Sequence, residues 1–182
     1  MFRSFRNRAF QSNPLSQAQI QTLNNANRFV ENGQPAKAAP IFAELASELE
    51  TSNHPRRAAN LHAQAAHAFA DSHNGQSALA NARAALTLFL HNQMVQRIPV
   101  FYTNIIRKLN NYGMKEASAA LVTEFSSIVG SVPVPSILKP QAHSRLPTNC
   151  PKCGGPVHSD EANWIDASTV ECGYCGAMIR PE

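Results

Sequence analysis

Between residues 14 and 130, apolar side chains recur at three- and four-residue spacing in a background of Ala, Leu, Gln, Glu and Arg. That spacing lines one face of an α-helix. Six segments carry it: 14–32, 35–51, 55–73, 76–92, 98–111 and 114–129. The first sets Ile20, Leu23, Ala26 and Val30 on one face and follows Asn13-Pro14, a cap-then-proline start. Pro35, Pro55 and Pro99 stand at first-turn positions, which need no N–H donor. The period is lost in residues 131–147, where four prolines predict an extended, semi-rigid linker. Its Val132, Val134, Ile137 and Leu138 are apolar enough to pack along the helical body. Beyond it, Val157, Trp164-Ile165, Ser168 to Glu171 and Ala177 to Ile179 read as short strands. The chain thus divides into a tail (1–13), a helical domain (14–130), the linker (131–147) and a small C-terminal domain (148–182).

The helical segments pair into hairpins that repeat. Gly33-Gln-Pro-Ala-Lys-Ala38-Ala-Pro-Ile-Phe42 is echoed by Gly75-Gln-Ser-Ala-Leu-Ala80 and, more loosely, by Gly113-Met-Lys-Glu-Ala117. In each copy the glycine is expected to end one helix in a left-handed cap, and the small residue lets the next helix approach closely. Over 33–70 this resembles the tetratricopeptide repeat, with Gly33, Ala38 and Phe42 where that family has its turn glycine, packing alanine and aromatic. The resemblance implies a mainly α fold, an array of about six helices in hairpins. A plain helical bundle with the same hairpins is the alternative.

All four cysteines lie near the C-terminus, as Cys150-Pro-Lys-Cys153 and Cys172-Gly-Tyr-Cys175. Two CxxC pairs separated by 18 residues fit a tetrahedral four-cysteine zinc site. A disulfide framework would spread its cysteines through the chain, and a redox enzyme needs one CxxC in a catalytic setting. Each pair is followed by glycine (Gly154, Gly176), which permits a turn whose N–H groups point at the sulfurs. From Thr148 to Arg180 the chain resembles a zinc ribbon with two rubredoxin-type knuckles. So small a β domain draws its folding free energy from the metal. Four thiolates fill the tetrahedron, so one Zn2+ is expected, in a structural role. Trp164 reads as the ribbon's apolar plug, with partner contact as its alternative role, and His158 as a surface residue.

Charge is unevenly placed. The tail alternates Phe2, Phe5 and Phe10 with Arg3, Arg6 and Arg8 and holds no acid. It reads as a loosely ordered terminus, or as a docking segment for a groove or lipid surface, and shares its composition with mitochondrial presequences. The helical domain is nearly neutral. Residues 148–182 set Lys152 and Arg180 against five acids, a net charge of −3. Four thiolates around one Zn2+ add −2, so the ribbon lacks the cations that phosphate contacts require. No HExxH, GxSxG, P-loop or GxGxxG is present, and Asp71 has no partner resembling an acid/base pair. His62 and His67, five residues apart, fall on different helical faces. His54, His73 and His91 sit at helix ends, where a cation complements the dipole.

These features predict a cytoplasmic, non-enzymatic zinc-binding adaptor whose helical scaffold and ribbon contact protein partners. The inner face of the hairpins supplies candidate partner-binding residues: Asn24, Asn27, Asn60, Gln64, His67, Asn104 and Lys108, with Trp164 on the ribbon. One alternative is a nucleic-acid-binding or transcription-associated protein using the tail, Arg56-Arg57 and Arg107-Lys108 for phosphates. Another is a ubiquitin-ligase-like adaptor that recruits a conjugating enzyme through the zinc domain; four cysteines fall short of the eight ligands of a two-metal RING. No segment is long and apolar enough to span a membrane.

Overall fold

The computed structural model describes residues 15–131, 146–157, 163–166 and 169–180, the side chains of 163–166 excepted. The Arg/Phe tail, the linker's apolar residues, His158 and the Trp164 side chain lie outside the described residues. Six helices come first: α1 (Gln17–Glu31), α2 (Pro35–Thr51), α3 (Pro55–Asp71), α4 (Gly75–His91), α5 (Arg97–Asn111) and α6 (Lys115–Ser131). A small antiparallel sheet follows, β1 (Asn163–Asp166), β2 (Thr169–Glu171) and β3 (Met178–Ile179), in that spatial order. Trp164 pairs with Val170, and Val170 with Ile179.

α1 starts at Gln17, later than Asn13-Pro14 implies. Ser16 is the cap: its hydroxyl accepts from the Gln19 N–H at 3.2 Å, and the Gln19 side chain accepts from the Ser16 N–H at 3.0 Å. This reciprocal pair satisfies two donors that a helix start leaves open.

The repeat is more regular than the glycines imply. Left-handed residues occur at Gly33, Asn53, His73, Gln93 and Gly113, a constant step of 20. All five turns use the same two bonds. After α1, Gln34 N–H donates to Phe29 O (2.7 Å) and Gly33 N–H to Val30 O (3.0 Å). After α4, Met94 donates to Phe89 O (2.9 Å) and Gln93 to Leu90 O (3.5 Å). Gly75 therefore does not end α3. His73 takes the left-handed position, Asn74 caps α4 by accepting from Ser77 N–H at 3.1 Å, and Gly75 is the first residue of α4. A Cβ at Gly75 would stand 3.2 Å from Met114, so close approach explains that glycine instead.

Consecutive helices pack together, and α3 sits centrally between α2 and α4. Its Ala58, Leu61, Ala65 and Ala68 enter a core built with α1 and α2, while Ala59, Ala66 and Ala70 enter a second core with α4, α5 and α6. A helix buried on both sides needs small residues for its neighbours to come near, which accounts for its alanine content. His62 is held between Asn81 Oδ1 (2.8 Å) and Glu50 Oε1 (2.6 Å), separate from His67. Asp71 binds Lys108 Nζ through both oxygens at 2.7 Å, tying α3 to α5, and accepts from the Tyr112 hydroxyl at 3.1 Å.

Three of the five left-handed positions carry a Cβ, which costs about 1 kcal/mol each relative to glycine, less for asparagine. Gln93→Gly should raise unfolding stability by about 1 kcal/mol, and Asn53→Gly by less. Urea unfolding of the two variants checks this; a destabilised Gln93→Gly would contradict the shared turn geometry.

Candidate metal centre

The two CxxC turns are built alike. Cys150 N–H donates to Gly155 O at 2.8 Å, and Gly154 N–H to Cys150 O at 2.8 Å. In the second turn Cys172 N–H donates to Ala177 O at 2.8 Å, and Gly176 N–H to Cys172 O at 2.9 Å. Gly154 (φ 71°) and Gly176 (φ 73°) take the left-handed conformation that closes each loop. The Tyr174 ring lies over Gly155, where an added Cβ would be 2.8 Å from its Cδ2, so one knuckle rests on the other.

The four sulfurs converge. Cys150 and Cys175 Sγ are 3.8 Å apart, Cys153 and Cys172 Sγ 3.7 Å, and all four lie within 4.8 Å of one another. These separations are far beyond a disulfide's ~2 Å. A regular tetrahedron with metal–sulfur bonds of ~2.3 Å has edges of ~3.8 Å, so the donor set fits a soft tetrahedral ion. All four cysteines are buried and free of disulfides. Hydrogen bonding with Cys150, then with Cys172, together with burial, pushes the Cys153 and Cys175 thiols up. The same bonds, led by the one from Cys153, pull Cys150 down. Crowded thiols therefore share protons, and a bound dication is what would let all four become thiolates.

The centre is seated on the helical domain. From α1, Asn24 Nδ2 donates to Lys152 O at 3.0 Å and Asn27 Nδ2 to Cys153 O at 2.9 Å. From α3, Asn60 Nδ2 donates to Gly173 O at 2.7 Å, and its Oδ1 accepts from Arg97 of α5. Arg57 of α3 pairs with Glu171 of β2 at 3.4 Å. Close approach depends on glycine: a Cβ at Gly173 would sit 2.9 Å from Asn60 Nδ2, and one at Gly176 would overlap the Arg57 guanidinium. The cysteines, Val170 and Ile179 join the same buried cluster as Ile20, Leu23 and Ala26.

Asn24, Asn27 and Asn60 thus share one face, as the hairpin pattern predicts, and in the structure that face holds the chain's own CxxC turns. Gln64 and His67 continue it along α3, and among the described residues neither hydrogen-bonds the CxxC turns. Among the described residues, Gln64 Oε1 and His67 Nδ1 are buried without a hydrogen-bond partner, and the His67 ring meets Phe101 edge-on at 5.4 Å. Asn104 accepts from Arg107 at 3.0 Å. Sequence reasoning missed the roles of Arg57 and Arg97; their cationic type signals electrostatic pairing, but nothing local indicates that Arg57 meets Glu171, 114 residues on, or that Arg97 meets Asn60, 37 residues back. No family model, curated protein or solved structure matches the chain.

Burial, then the nearby Lys108 charge, lowers the His67 pKa from 6.5 to about 4. The unfolded chain therefore takes up this proton first on acidification. The stability held by neutral His67 is complete above pH 6.5 and drains away as pH falls towards 4, at most about 3 kcal/mol. Urea unfolding at pH 7 and pH 4.5 should show a smaller acid loss in His67→Phe than in wild type; equal losses would contradict a buried neutral imidazole.

Proposed function

We propose that the protein is a non-enzymatic, zinc-binding interaction adaptor, with a tetratricopeptide-like hairpin scaffold and a structural zinc ribbon. The observation that carries this reading is the seating of the four-cysteine centre on the α1–α3 face. Its ligand loops are gripped by side chains of the scaffold. Cys150, Cys153, Cys172 and Cys175 would complete the zinc coordination, leaving no position for a substrate or an activated water. The metal then braces the scaffold and fixes the ribbon's outer surface, where Met178 is 57% exposed. A protein partner would meet that surface or the open part of the odd-numbered-helix face, around Asn104 and Lys108. Committed thiolates favour a reducing compartment such as the cytoplasm. Among the described residues, no helix is long and apolar enough to cross a membrane.

Phosphate binding has weaker support. Arg57 is 6% exposed and paired with Glu171, and Lys108 is paired with Asp71. The acidic ribbon meets its basic counterpart within the chain. Purified protein should hold about one zinc per chain by elemental analysis, and Cys150→Ser should lose it. Affinity capture from the native cell should recover a protein that Asn104→Ala/Lys108→Ala or Cys172→Ser fails to hold. Recovery of RNA or DNA instead, with affinity collapsing between about 50 and 200 mM salt, would overturn the adaptor reading.

A further inference from the structure

We infer that Asn24, Asn27 and Asn60 are positioning residues of the metal centre, so that metal binding and the seating of the ribbon on α1 and α3 form one linked equilibrium. This rests on the zinc reading above and goes further, because it makes the ribbon a metal-dependent cover of the scaffold.

The bonds fall on the ligand loops themselves. Lys152 O precedes the ligand Cys153, Cys153 O belongs to it, and Gly173 O follows the ligand Cys172. A carbonyl oxygen only accepts, so each amide must turn its nitrogen towards the loop. Asn60 is fixed from both ends, since Arg97 donates to its oxygen. Two of these groups are deep in the contact, Asn27 at 7% and Asn60 at 3% exposure, with Asn24 half-buried at its edge, while Asn25, on the other side of α1, faces solvent. Solvation of a helix surface does not account for buried amides aimed at main-chain carbonyls.

The electrostatics point the same way. Four thiolates around a dication carry a net charge of −2. The scaffold sets Arg57 against the second knuckle at Gly176, and Arg97 behind Asn60. Cations and donors around a thiolate centre stabilise its charge, and outer-shell partners of this kind change metal affinity by about 10–100-fold when removed. Linkage makes the effect reciprocal. If seating strengthens metal binding by some factor, metal binding strengthens seating by that same factor. Withdrawal of the metal therefore loosens the ribbon and uncovers the amides of α1 and α3, together with the apolar Ile20 and Leu23 beside them.

The test uses the full-length chain and zinc itself. Zinc affinity is measured by competition with a chromophoric chelator, and site geometry by the thiolate-to-cobalt charge-transfer bands after Co2+ loading. Asn27→Ala/Asn60→Ala should bind zinc about 10–100-fold more weakly and show altered cobalt bands, while Asn104→Ala, on the same face beyond the ribbon, should match wild type. Gly173→Ala guards against a folding artefact. It leaves the helices untouched, but its Cβ would press on Asn60, so it too should lose affinity while helical circular dichroism is kept. Wild-type affinity and spectra in both the double variant and Gly173→Ala would overturn the inference and leave an independent ribbon. A wild-type chain that binds no zinc would instead overturn the underlying zinc reading.

Discussion

A buried main-chain carbonyl must find a donor. In this chain that requirement decides how the two halves meet. The two CxxC turns present the carbonyls of Lys152, Cys153 and Gly173 to the helical domain. Three asparagine amides on α1 and α3 supply the missing donors. The ribbon's glycines let the backbones come within reach, and Arg57 closes the edge against Glu171.

The scaffold presents those amides through its period. One helix and one left-handed turn recur every 20 residues, so alternate helices return to the same side. α1, α3 and α5 can then contribute to one face: Asn24 and Asn27 from the first, Arg57 and Asn60 from the second, Arg97 from the third. α3 joins both cores through its alanines and carries the contacts to the second knuckle. Packing, turn chemistry and the candidate metal site therefore converge on this helix.

Much of this was legible in the sequence. The CxxC spacing identified the cysteines that converge, because metal ligands must recur at turn-compatible intervals. The apolar spacing located all six helices, and the hairpin pattern put Asn24, Asn27 and Asn60 on one face. The true period was hidden because Asn53, His73 and Gln93 do at three turns what glycine does at the other two. Gly75, the glycine near the third of the five turns, stands two residues past its left-handed position at His73. The seating of the ribbon was hidden for a different reason. Its hydrogen bonds join residues 113 to 128 positions apart, and an asparagine that grips a carbonyl looks the same in sequence as one that meets water.

The four-cysteine centre and the α1–α3 face close on each other. Hydrogen–deuterium exchange of the full chain, metal-loaded and then stripped with a chelator, tests this most directly. Stripping should speed exchange in residues 146–180 and also in α1 and the first half of α3, while α5 and α6 keep their protection. Faster exchange confined to residues 146–180, with α1 and α3 unchanged, would contradict it.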